Sequence, residues 1–131
     1  MQYALLIYDD EAAWAQLSEE EQGRILGEYW ALDEALKEAG VHRGGEALHP
    51  TATAKSVRER GALVTDGPFA ETKEVLGGFY LIEVASEAEA LAWAGRIPAL
   101  GTVEVRPVIE WNEDGTAALP LDAAVTAGGA S

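Results

Sequence analysis

Two strand–helix–strand patterns follow one another in this sequence, and they restrict the chain to a small set of folds. We place the four main strands, in order, at residues 2–8, 41–48, 77–84 and 102–109. A long helix is predicted between the first two strands and a short helix between the last two. Two such βαβ units in one small domain predict a ferredoxin-like α+β sandwich, with both helices on one face of the sheet.

The long helix has the clearest local signals. Ser18 and Glu21 form a capping box at its start, and Gly40 suits the residue that follows its end. Between these limits, apolar side chains recur at steps of three and four residues, at Ile25, Tyr29, Leu32 and Leu36. This pattern predicts an amphipathic helix over about residues 19–39. A second capping box, Ser86 with Glu89, predicts the start of the short helix.

The first strand is apolar on both faces, with Tyr3, Leu5 and Ile7 on one and Ala4, Leu6 and Tyr8 on the other. Helices on one side of a sheet cover only one of these faces. We therefore expect a second copy of the chain to cover the other face, which predicts a homodimer. Pro107 lies in the last strand and lacks a backbone donor, so this strand is predicted to lie at an edge.

The remaining segments are an insertion and an extension. Residues 52–57 and 62–65 are predicted to form a short inserted hairpin. We predict one domain at residues 1–109 and a partly flexible C-terminal extension at residues 110–131, where Trp111 pins the chain down and the last residues fray.

Composition excludes several classes of protein. The chain has 131 residues, 48% of them hydrophobic, a net charge of −14 and no cysteine. The charge argues against direct nucleic acid binding, because phosphate contacts need lysine and arginine. No apolar run reaches the ~20 residues of a membrane helix and no signal peptide is recognisable, so no membrane association and a cytoplasmic location are expected. No nucleotide-binding motif is present, and no cofactor is expected.

The most distinctive segment reads TDGPFAETKE at residues 65–74 and is followed by GGFY at residues 77–80. Pro68 restricts the backbone of Gly67, and the Asp66 carboxylate is placed to accept hydrogen bonds from nearby backbone N–H groups. One interpretation is a capped turn with a solvated charge cluster. The other is a loop that directs a carboxylate into a cleft.

These motifs resemble the YCII-related (YciI-like) proteins, in the branch named for its Asp-Gly-Pro-Phe motif. The resemblance covers about residues 1–109 and also includes the opening strand and the run GGEAL at residues 44–48. It implies a dimeric α/β barrel and little about chemistry, since most members have no assigned reaction. Some members are linked with alternative sigma factors, which suggests a transcriptional context. The related branch has a histidine on its first helix that is proposed to work with an aspartate, but residues 19–24 here read EEEQGR.

Two functional hypotheses follow. The first is a cofactor-free enzyme that performs acid–base chemistry on a small molecule, with Asp66 as the catalytic group and His49 assisting. The second is a dimeric ligand-binding or regulatory module. Under either hypothesis the candidate ligand-binding residues are Phe69, Glu71, Lys73 and Tyr80.

A metal site is not predicted. Gly44 and Gly45 mark a weak spot or bulge in the second strand. If no bulge intervenes, alternation places His42 and Glu46 on one face and His49 on the other, which separates the two histidines. Without cysteine there is also no thiolate site.

Overall fold

A computed structural model describes residues 1–118 of the chain. Six strands are formed within these residues: β1 (Gln2–Asp9), β2 (His42–Ala47), β3 (Lys55–Arg58), β4 (Leu63–Asp66), β5 (Val75–Glu83) and β6 (Val103–Pro107). The three α-helices are α1 (Glu11–Gln16), α2 (Glu19–Glu38) and α3 (Glu87–Ala94). The predicted fraying after residue 122 lies outside the described residues.

The main sheet has the strand order β2-β5-β1-β6, with every neighbouring pair antiparallel. Strands β1 and β2 are joined through α2, yet β5 lies between them, and this is the split arrangement of a ferredoxin-like sheet. The predicted α+β fold is confirmed, and so is the edge position of the proline-containing strand β6. The inserted hairpin forms a separate two-stranded sheet of β3 and β4.

Local signals set the helix starts. The Ser18 hydroxyl accepts a hydrogen bond from the Glu21 N–H at 3.1 Å, and the Glu21 carboxylate accepts one from the Ser18 N–H at 3.2 Å. The predicted capping box of α2 is therefore present. At α3, Ser86 accepts from the Glu89 N–H at 3.2 Å, but the Glu89 carboxylate accepts from the Ala85 N–H rather than from that of Ser86, so only half of the predicted second capping box is formed.

One face of the sheet carries the core. Helices α2 and α3 both pack against it, and the buried core residues are Tyr3, Leu5, Ile7, Leu32, Leu36, Ile82, Val84, Ala90, Ala94 and Ile97. Leu32 and Leu36 belong to the second half of α2, so this half of the helix makes the buried contact. Removing such apolar side chains from water is the main favourable term in folding.

The opposite face of the sheet is apolar at its centre, and no helix of residues 1–118 covers it. Leu6 pairs with Phe79, and Ala4 pairs with Leu81, each on the face away from the buried residues. All four side chains are only partly buried. Within residues 1–118, no helix combines the length and the apolar character needed to span a membrane.

A bulge in β2 changes which residues share a face. The pairing with β5 shifts between His42 and Gly44, so His42 lies opposite Ile82 while Glu46 lies opposite Phe79. His42 is consequently on the helix-covered face and Glu46 on the open one. The bulge lies beside the glycine pair at which the sequence predicts a weak spot or bulge, and its extra residue reverses the alternation that would otherwise place these two side chains together.

Candidate functional site

A cleft of about 900 Å³ lies between the middle of α2, residues 25–33, and the β2–β5 side of the sheet. Helix α1 and the segment after β2 form its other walls. A cavity of this size is within the range of small-molecule sites. A second concavity, lined by Leu6, Arg106 and Trp111 among others, has a volume of only about 320 Å³, so the larger cleft is the candidate functional site.

Glycines in the strands leave the floor of the cleft without large side chains. Gly45 of β2 and Gly78 of β5 both line it. A Cβ at Gly78 would lie 2.8 Å from the Glu46 carbonyl oxygen, and one at Gly45 would lie 2.7 Å from the Phe79 carbonyl oxygen. Both positions therefore require glycine for the close approach of β2 and β5. Gly78 belongs to the glycine pair that the sequence marks at the start of this strand.

Two carboxylates occupy the end of the cleft where β1 stops. Oδ1 of Asp9 accepts a hydrogen bond from the Leu100 N–H at 2.8 Å. Glu11 accepts from Thr51 twice, from its N–H at 3.0 Å and from its hydroxyl at 2.5 Å. The Glu11 contacts join α1 to the segment after β2 and so hold one wall of the cleft in place.

Aromatic side chains form much of the remaining lining. They are Trp14 of α1, Tyr29 and Trp30 of α2, and Tyr80 of β5. Tyr29 and Tyr80 are half-buried, whereas Trp30 lies exposed at the rim. Aromatic rings offer a large apolar surface together with a negatively polarised face, which suits an apolar or cationic ligand.

Asp33 lies at the opposite end of the cleft, where its carboxylate contacts two basic side chains. Its carboxylate lies 2.8 Å from the Lys37 ammonium and 3.3 Å from Nε2 of His42. The hydrogen bond from Lys37 is the main reason that the pKa of Asp33 is lowered, and the charge of Lys37 acts in the same direction. The His42 ring packs edge-on against Tyr80, with the ring centres 6.3 Å apart.

Both cleft tyrosines are held in the neutral form. Burial raises the pKa of Tyr29 strongly, and the nearby negative charge of Asp9 raises it further. Burial also raises the pKa of Tyr80, with the Asp33 charge as the second cause. The pKa values of these three side chains therefore all lie further from 7 than usual. At pH 7, Asp33 is ionised and both tyrosines are protonated.

The raised pKa of Tyr29 predicts a specific loss of stability in alkali. The pKa of Tyr29 is higher in the folded protein than the value of about 10 expected in the unfolded chain. The stability that this difference contributes is fully present below pH 10 and is lost as the pH rises towards the pKa of the folded state. Urea unfolding between pH 8 and 11.5 should therefore show a shallower alkaline decline for Tyr29→Phe than for the unchanged chain. The difference is at most about 1.4 kcal/mol per pH unit and smaller for a half-exposed ring. Equal slopes would contradict the assignment.

The structure does not bring the predicted catalytic aspartate to the cleft. Asp66 ends β4 on the hairpin, where its side chain is 88% exposed and forms an ion pair with Lys55. The turn is instead closed by the Gly67 N–H, which donates to the Ala54 carbonyl at 2.8 Å. The expectation that the Asp66 carboxylate holds the turn through backbone N–H groups was wrong, because it bonds to the lysine across the hairpin. Its predicted catalytic role stays a prediction.

The other predicted residues divide into two groups. His49 and Tyr80 line the cleft, whereas Phe69, Glu71 and Lys73 do not. Phe69 is 81% exposed, and Glu71 and Lys73 are also exposed. No group of three or more histidine, aspartate or glutamate side chains in residues 1–118 is arranged to hold a metal ion.

Sequence reasoning missed the residues that define the cleft, chiefly Asp9, Glu11, Tyr29 and Asp33. Weak signals were present. An acidic loop directly follows the first strand, and Trp30 lies beside the apolar stripe of α2 without belonging to it. Such signals gain meaning only when the strand end and the helix are brought together in space.

Comparisons with known proteins identify relatives of this chain. The family model described as the YCII-related domain matches residues 1–112. An uncharacterized protein of Rhizobium meliloti (strain 1021) is 42% identical over 114 residues, which cover 82% of this chain and 92% of the relative.

Proposed function

The chain belongs to the YCII-related family, and from this premise and the geometry of the cleft we propose that it is a small-molecule-binding protein. The observation that supports this proposal is the aromatic cleft of about 900 Å³ between α2 and the β2–β5 side of the sheet. Large concave sites lined mainly by apolar groups, with a few polar groups at one end, are typical of ligand sites.

The cleft supports ligand binding more than acid–base catalysis. A general acid or base works best with a pKa near the operating pH. Three cleft side chains have shifted pKa values, and each shift takes the pKa further from 7: the value is lowered for Asp33 and raised for Tyr29 and Tyr80. Acid–base catalysis is the second candidate: His49 lies in the cleft lining, which favours it, whereas Asp66, the other residue proposed for it, lies outside the cleft on the hairpin.

A homodimer is part of the proposed function. The open face of the sheet presents Ala4, Leu6, Phe79 and Leu81, with charged Glu46, Glu104 and Arg106 around them. An apolar centre with a polar rim is the usual composition of a protein interface. A second copy packed on this face would give the dimeric α/β barrel that the family resemblance implies. We place the dimer in the cytoplasm, in keeping with a chain that contains no cysteine.

Binding to the cleft is tested with N-phenyl-1-naphthylamine, a neutral apolar dye that fluoresces strongly when removed from water. We expect saturable binding that is weakened about tenfold by Leu26→Glu, because this change replaces apolar surface at the rim with a charge. The matched control is Leu91→Glu on α3. Leu26 and Leu91 are similarly exposed, at 52% and 54%, but only Leu26 lines the cleft. Equal affinities for the two variants, or no binding by the unchanged chain, would contradict the proposal.

A further inference from the structure

The cleft has an unbalanced charge. Three acidic residues line it from the helix-covered side, Asp9, Glu11 and Asp33, whereas the side chain of Glu46 lies on the open face, and no lysine or arginine of residues 1–118 lines the cleft. The whole chain carries a net charge of −14, so its field adds to the local one. Both the local and the overall charge disfavour an anionic ligand.

Within residues 1–118, two of these three carboxylates have no cationic partner. Asp33 is compensated by Lys37 and His42. Asp9 and Glu11, in contrast, form no ion pair with any residue in the described part of the chain. Their hydrogen bonds come only from the neutral donors of Leu100 and Thr51. The end of the cleft near β1 therefore keeps its negative charge.

One carboxylate oxygen remains available to a ligand. Oδ1 of Asp9 is bonded to the Leu100 N–H, whereas Oδ2 forms no hydrogen bond to residues 1–118. Gly77 also lines the cleft, and a Cβ at this position would lie 3.1 Å from Oδ2. The absence of a side chain at Gly77 thus leaves the space beside Oδ2 open.

We propose that the ligand of the cleft is an organic cation, an ammonium group attached to an apolar or aromatic body. The ammonium lies between Asp9 and Glu11, and the body packs against Trp14, Tyr29 and Trp30. The ring faces of these aromatic residues attract a cation, and their surface covers the apolar part. This inference rests on the proposed function, since it names the chemical class that the same cleft binds.

The test compares three naphthalene compounds of similar size but different charge. They are 2-(1-naphthyl)ethylamine, neutral 1-ethylnaphthalene and anionic 1-naphthylacetate, each used to displace N-phenyl-1-naphthylamine at pH 7. We expect the amine to bind about tenfold more tightly than the neutral compound, and the anion more weakly than both. Asp9→Asn should remove most of the advantage of the amine over the neutral compound.

A neighbouring carboxylate provides the matched control. Asp10 caps α1, accepting hydrogen bonds from the Ala12 and Ala13 N–H groups, and it does not line the cleft. Asp10→Asn makes the same change in charge one residue away and retains a good capping residue. The preference for the amine should therefore survive in this variant.

The outcomes separate this inference from the proposed function. Two results would refute the proposal of an organic cation but keep the cleft as a ligand site. The first is dye binding with equal affinities for the amine and the neutral compound, and the second is an amine preference that persists in Asp9→Asn. Failure of the dye and of all three naphthalene compounds to bind would overturn the proposed function and this inference together.

Discussion

Gly101→Ala is expected to lower the free energy of unfolding by about 2–3 kcal/mol, which corresponds to a fall of roughly 10 °C in the melting temperature. A Cβ at this position would collide with the Tyr8 carbonyl oxygen and with Oε1 of Glu74. Next to it, the Tyr8 N–H donates to the Thr102 carbonyl at 2.8 Å, which joins β1 to the start of β6. The substitution must therefore displace the loop and loosen this edge of the sheet. Urea and thermal unfolding measure the loss.

Two further variants test whether the backbone collision causes this loss of stability. Gly27→Ala on α2 adds a methyl group that meets nothing within 4 Å, so it should stabilise the chain by about 0.5–1 kcal/mol. Gly101→Ala combined with Glu74→Ala removes the carboxylate but leaves the backbone collision, so most of the loss should persist. A Gly101→Ala protein as stable as the unchanged chain would show that the loop accommodates a side chain.

Leu81→Arg is expected to convert the proposed dimer into a folded monomer. Leu81 lies on the open face of the sheet, opposite Ala4. A standard interface buries about 800 Å² per partner, and an unpaired charge at its centre costs several kcal/mol. Multi-angle light scattering should give about twice the chain mass of 13.9 kDa for the unchanged protein and a single chain mass for the variant.

The control for this prediction is Leu91→Arg, which introduces the same side chain on α3, away from the open face. It should remain dimeric, and both variants should keep the far-ultraviolet circular dichroism of the unchanged chain. A monomeric unchanged protein at micromolar concentration would contradict the proposed dimer, as would a Leu81→Arg protein that stays dimeric.

The fold could be predicted because its signals are local and repeated. The Ser18–Glu21 capping box fixes the start of α2, and the apolar stripe identifies the helix face that contains the buried Leu32 and Leu36. Pro107 correctly placed the last strand at an edge. Gly44 and Gly45 indicate a possible bulge in β2, but whether it forms, and so whether His42 and Glu46 share a face, depends on how β2 pairs with β5.

The candidate site was harder to predict because its residues come together only in the folded chain. The segment at residues 65–74 is distinctive in sequence, yet Asp66 lies on an exposed hairpin and pairs with Lys55. The effect of Asp9 depends on its distance from Tyr29, twenty positions later in the chain, and on the space beside Gly77. Residue type and spacing do not encode these distances.

The ¹⁹F NMR spectrum of the protein labelled with 5-fluorotryptophan, recorded with and without N-phenyl-1-naphthylamine, tests the proposed ligand cleft most directly. The chain has four tryptophans, and their signals can be assigned with single Trp→Phe variants. Trp14 and Trp30 line the cleft, whereas Trp93 and Trp111 do not. Binding in the cleft predicts that the dye shifts the signals of Trp14 and Trp30 and leaves those of Trp93 and Trp111 in place. Unchanged signals of Trp14 and Trp30 at saturating dye would contradict the proposal.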